Sequence, residues 1–173
     1  MKIAYTMAPG RGDTDLLLYA LAQTLAGQGH RTCGVVQINT DRPDEGPCDM
    51  DVQVLPDGAI LRISQTLGRE SIGCRLDPNA LETAVGLVEV SSAQGVDCLI
   101  INKFGKHEGE GRGFRAAIAE ALSQDIPVIV GLNTLNQPAF MEFCGDFAVE
   151  LPPEKVALTD WICTQILNAR QAA

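Results

Sequence analysis

The chain has 173 residues, and 13 Lys+Arg against 22 Asp+Glu give it a formal net charge of −9. That length predicts one domain, residues 1–173, with a substantial core, and 46% hydrophobic residues exclude disorder throughout. The acidic balance argues against a nucleic-acid partner, which needs a basic footprint; no apolar run approaches the roughly 18 residues of a membrane span, and the opening MKIAYTMAPG lacks the apolar stretch of a signal peptide, so a cytoplasmic protein is expected.

Residues 2–7 read as a short apolar strand, broken by Gly10 and Gly12. Asp13 or Thr14 is placed to cap a helix carrying Leu17, Leu21 and Leu25 on one face, with Gly27 and Gly29 at its end. Residues 31–38 are rich in Val and Ile and form the next strand, completing a parallel strand–helix–strand unit. Residues 39–50 hold four acids, Asp41, Asp44, Glu45 and Asp49, and read as a solvated loop rather than a cation site. Two short strands at 51–55 and 59–65, joined by Pro56-Asp57-Gly58, predict a small β-hairpin. After an irregular stretch at 66–76, Asp77-Pro78 starts a helix with a cap and a first-turn proline, and Leu81, Val85 and Val88 supply its apolar stripe.

Residues 96–101 (VDCLII) are a nearly unbroken apolar run, the mark of a strand buried on both faces of a parallel sheet. A helix from about residue 113 carries Phe114, Ile118 and Leu122. A buried strand at 126–132, a short helix at 135–144, a strand at 147–151 and a last helix at 154–170 complete the chain. The alternation predicts a three-layer α/β fold: a mostly parallel sheet flanked by helices. The six cysteines form no C-x-x-C pair and the chain has two histidines, so reduced thiols and no metal site are expected.

In open α/β sheets ligands bind at the carboxyl ends of strands, which selects residues 8–15 and 102–113. The first segment stands where a phosphate-cradling G-x-x-x-x-G-K-[ST] loop would stand. Gly12 and Thr14 align with the second glycine and the hydroxyl residue, Met7 replaces the first glycine, and Asp13 replaces the lysine. At about 4 Å and an effective dielectric near 20, two like charges repel by about 4 kcal/mol, so the usual Mg²⁺-ATP pose is disfavoured. Gly10, Arg11, Gly12, Asp13 and Thr14 remain candidates for binding an anion, with Arg11 as a substitute cation.

In the second segment Asn102 and Lys103 occupy a position that often carries a magnesium-binding acid. The resemblance to a guanine-reading N-K-x-D is broken by Gly105. What remains is a glycine-rich, basic stretch, in which Lys103, Lys106, Arg112 and Arg115 suit an oxyanion and Glu108 suits a base, a metal ligand or a lysine's partner.

The segments NKFGK-x-E-x-x-GRG (Asn102, Lys103, Phe104, Gly105, Lys106, Glu108, Gly111, Arg112, Gly113) and GCRLDP (Gly73, Cys74, Arg75, Leu76, Asp77, Pro78) carry a further resemblance. With the opening strand–loop–helix, they resemble a bacterial family of unknown function, described as nucleoside-triphosphatase-like and associated with molybdenum transport. The resemblance implies a P-loop NTPase-like fold lacking the standard phosphate-binding residues, in a molybdate or molybdenum-cofactor setting. Arg75, with no structural reason evident in the sequence, is a candidate oxyanion contact.

The expected function is binding of a nucleotide or a phosphate-like oxyanion, with Mg²⁺-nucleotide or molybdate as the ligand, through Gly10, Arg11, Gly12, Asp13, Thr14, Arg75, Asn102, Lys103 and Arg112. One alternative is a nucleoside triphosphatase or phosphotransferase in which Lys103 or Lys106 replaces the missing lysine, Thr14 or Asp13 holds Mg²⁺ and Glu108 orients water. Another is a non-catalytic, partner-binding domain, and a homodimer is an expectation at the level of fold class alone.

Overall fold

The computed structural model describes residues 1–40, 48–65 and 75–172. The first strand, β1 (Ile3–Thr6), leads through a turn into helix α1 (Asp13–Gly27) and strand β2 (Thr32–Thr40). The hairpin follows as β3 (Asp49–Val54) and β4 (Ile60–Arg62), then α2 (Pro78–Ser92) and β5 (Cys98–Ile101). A short helix α3 (Lys106–Gly109), α4 (Arg115–Ser123), β6 (Val128–Gly131), α5 (Gln137–Cys144), β7 (Ala148–Glu150) and α6 (Lys155–Ala172) complete the chain.

All seven strands join one sheet in the order β4-β3-β2-β5-β6-β1-β7. From β2 to β7 neighbouring strands are parallel, and β3 and β4 extend the β2 edge antiparallel. Alternation of side chains divides the core between two faces. Tyr5, Val35, Ile101 and Val130 pack against α2, α4 and α5 on one face, whereas Ala4, Val36, Ile100 and Ile129 pack against α1 and α6 on the other. The sheet is therefore the middle of three layers, and β5, wholly buried, lies inside it as its apolar run predicts.

The start of α2 follows the sequence closely. The Asp77 carboxylate accepts from the N–H groups of Asn79 and Ala80, and Pro78 opens the helix. Three expectations are corrected. Neither Asp13 nor Thr14 caps α1: Gly12 takes that place at a left-handed φ of 84°, without a side-chain cap. The buried face of α1 is Leu18, Leu21, Ala22 and Leu25, with Leu17 at its margin. The glycine-rich basic stretch after β5 is not wholly without regular structure, because it holds helix α3. Of the acidic stretch, Asp49 belongs to β3, whereas Asp41, Asp44 and Glu45 lie outside the described residues, as do Gly73 and Cys74.

Candidate functional site at the carboxyl edge of the sheet

The parallel strands β1, β2, β5 and β6 end on the same edge, which brings the turn before α1 beside the residues that follow β5. The contact is made by Asp15, in the first turn of α1. Its Oδ1 accepts from Asn102 Nδ2 at 2.8 Å, and its Oδ2 accepts from Asn39 Nδ2 at 2.8 Å and Gln37 Nε2 at 3.2 Å. Asn102, only 3% exposed, also accepts from the backbone N–H of Gln37 through Oδ1 at 3.0 Å. Gln37 Nε2 donates to Asn39 Oδ1 at 2.7 Å as well. The network ties α1 to β2 and β5, and so fixes the turn at residues 7–12.

Within that turn, the Thr14 hydroxyl accepts from the Ala8 N–H at 3.0 Å and closes the loop on itself. The backbone N–H of Asp13 donates to the Gly10 carbonyl at 3.3 Å. Arg11 is exposed and forms no ion pair with any described residue. Lys103, next to Asn102, is likewise exposed and unpaired among the described residues.

The rest of the second segment is anchored. Phe104 is fully buried; its N–H donates to the Gly131 carbonyl at 2.9 Å, and its ring meets Phe140 edge-on at 5.2 Å. Glu108 is 3% exposed, and its oxygens accept from the N–H groups of Gly105 at 2.8 Å and Phe114 at 3.1 Å. Gly113, at a φ of +57°, lies so close to Glu108 Oε1 that any Cβ there would overlap it. Arg115 donates to the Glu108 carbonyl at 3.2 Å and stacks over the Phe143 ring. Lys106 faces Glu110 at 3.6 Å, and Arg112 donates to the same carboxylate and holds it below the usual carboxylate range.

Arg75 has a structural role that the sequence did not reveal. It donates to the Cys48 carbonyl at 3.0 Å and approaches Asp49 at 3.6 Å. Asp49 also pairs with Arg62 at 2.9 Å, and Arg62 binds Asp51 through Nε at 3.0 Å. The hydrogen bond from Arg62 pulls the Asp51 carboxyl below its ordinary range, against the effect of burial.

The predicted residues thus divide into two groups. Gly10, Arg11, Gly12, Asp13 and Thr14 adjoin Asn102 and Lys103 through Asp15, whereas Lys106, Glu108 and Arg112 serve the segment that follows, and Arg75 serves the hairpin. Asp15, Gln37 and Asn39 were missed as a group, although polar residues ending two apolar strands were visible in the sequence. The described cysteines are free thiols, and burial pushes Cys144 up to about 11. No helix among the described residues is long and apolar enough to cross a membrane.

Comparison with known proteins agrees with the architecture. The model of a family described as "Protein of unknown function (DUF2478)" matches residues 3–161. The chain is 33% identical over 162 residues to the molybdenum import ATP-binding protein ModC 2 of Bradyrhizobium diazoefficiens, a match that covers 92% of this chain but 18% of that protein. The solution structure of a human cancer-related nucleoside triphosphatase aligns with a TM-score of 0.59 at 18% identity, over 100% of this chain and 99% of the other. At that identity the likeness shows the fold alone, and the expected nucleoside-triphosphatase-like α/β architecture is borne out.

Proposed function

For this chain, which belongs to the DUF2478 family of proteins of unknown function, we propose binding of a small phosphate-bearing or oxyanionic ligand, a nucleotide foremost, at the carboxyl edge. The carrying observation is the pair of exposed cations, Arg11 and Lys103, each free of an ion pair among the described residues. They belong to the two segments that the Asp15–Asn102 bond joins. In a chain of net charge −9, two cations without acidic partners among the described residues, in segments at strand ends, suit an anion. Gly12 lets backbone approach the ligand, and Thr14 holds the turn closed. Lys106, Arg112 and Arg75 already face carboxylates and contribute less.

The ATP binding and molybdenum import in the relative's name support a nucleotide or molybdate as ligand. They belong to a protein of which this chain spans 18%. Binding proceeds without fast hydrolysis, because Asp13 stands where a catalytic lysine would and both oxygens of Glu108 accept from backbone N–H groups.

Thermal-shift and calorimetric titration with ATP, GTP, AMP, molybdate, tungstate and sulfate test this reading. At least one ligand should bind, and Lys103→Ala and Arg11→Ala should each weaken it about three- to tenfold while leaving unfolding unchanged. A flat response of the wild-type protein to every ligand sinks the proposal.

A further inference from the structure

The two acids in the first turn of α1 are held differently. Asp15 is bound by amides on three sides, whereas Asp13 is exposed and its side chain has no hydrogen bond or ion pair among the described residues. The Asp13 carboxylate lies against Gly10. A Cβ built on Gly10 would stand 2.6 Å from Asp13 Cγ and 3.0 Å from Oδ1, closer than side chains tolerate. The missing side chain at Gly10 is therefore what lets the carboxylate fold back over the turn. In a phosphate-cradling loop this position carries the lysine that reaches the outer phosphates; here the same place holds a negative charge.

We infer that Asp13 is the specificity-determining residue of the site, fitting it to a ligand with a single phosphate or one tetrahedral oxyanion rather than to a triphosphate. This rests on the anion-binding reading above and narrows its ligand. Repulsion from a carboxylate grows with the charge of the ligand, and one phosphate carries about two negative charges where a triphosphate carries about four. Arg11 and Lys103 together offset the first and not the second. Asp13 thus repels a compact dianion about half as strongly as a triphosphate, and the two cations leave the triphosphate's further charge unbalanced.

The experiment is calorimetry on the full chain in EDTA, with AMP, ATP, GMP, GTP and sodium molybdate as probes. It compares the wild type with Asp13→Asn, Asp13→Ser and Lys103→Ala, each verified by circular dichroism. In the wild type, a monophosphate or molybdate should bind at least as tightly as either triphosphate. Asp13→Asn and Asp13→Ser should tighten triphosphate binding about tenfold and monophosphate binding no more than about threefold, so that the preference moves toward the triphosphate. If Lys103→Ala weakens binding but both Asp13 variants keep the wild-type ratio of triphosphate to monophosphate affinity, the inference falls and the binding site stands. A wild-type preference for triphosphate overturns the inference in the same way. If neither the wild type nor the Asp13 variants bind any probe, both the inference and the site fall.

Discussion

Asn102 is the residue whose loss should cost the carboxyl edge most, and the cost follows from its bonds. Asn102→Ala removes an acceptor from the Gln37 N–H and a donor from Asp15 Oδ1. The site is buried, with Asn102 only 3% exposed, so water replaces neither bond fully. A neutral hydrogen bond contributes about 1 kcal/mol and one to a charged group about 1.5–3 kcal/mol. Asp15 keeps its Gln37 and Asn39 donors, which holds the second term near its lower bound. The expected loss is therefore about 2–3 kcal/mol, or about 4–12 °C in Tm for a chain of this size. Urea unfolding at neutral pH, followed by circular dichroism, measures it. A double-mutant cycle with Asp15→Ala should return a coupling of about 1–2 kcal/mol. Asn102→Asp keeps the acceptor but sets a second carboxylate against Asp15, and it should be at least as destabilising as Asn102→Ala at neutral pH. A loss below about 1 kcal/mol for Asn102→Ala, or a stable Asn102→Asp, would refute the view that this network holds α1 on the sheet.

Gly113→Ala should cost about 2–3 kcal/mol by chemical denaturation, because its Cβ displaces the buried Glu108 carboxylate from Phe114 and its φ of +57° penalises any side chain; Gly111→Ala shares the backbone penalty, at a φ of +86°, but has nothing within 4 Å of the added Cβ and should cost less. The Asp51 carboxyl is held below its ordinary value of 3.8 chiefly by the Arg62 hydrogen bond. The folded protein therefore takes up this proton at lower pH than the unfolded chain does. Its contribution is complete above about pH 4 and disappears as the pH falls through the lowered value. Urea midpoints measured from pH 6 to pH 2 should fall less steeply in Asp51→Asn than in the wild type, and equal slopes would contradict the assignment. Gly34→Ala, whose Cβ would overlap the Ile100 carbonyl on the neighbouring strand at a φ of +109°, should prevent correct pairing of β2 with β5 and leave little folded protein by gel filtration.

What the sequence revealed and what it concealed divide along the range of the interactions. The strands were readable because β5 and β6 are unbroken aliphatic runs, and the start of α2 because Asp77 acts on residues two and three places ahead. The hairpin was readable from its turn, although β4 is shorter than its polar–apolar alternation suggested. The cap of α1 was misread because Gly12 occupies the cap position and the Thr14 hydroxyl turns back to Ala8 instead. Arg75 looked unexplained because its partners, Cys48 and Asp49, precede it by more than a full helix of chain. Glu108 looked like a free base because nothing local announces that Phe104 buries the segment and that Gly113 makes room for the carboxylate.

The amide network shows why a site can look eroded and still be built. Taken singly, Asn102 is an acid that is missing, and Gln37 and Asn39 are two more polar strand ends. Together they give Asp15 three donors that carry no net charge. A lysine or arginine in that place would tie α1 equally well, but it would spend a positive charge on a structural task. Neutral donors hold the carboxylate, and Arg11 and Lys103 have no ion pair among the described residues. In a chain with 22 acids against 13 bases, that separation of structural from unspent charge is the strongest physical reason to look for an anion at this edge.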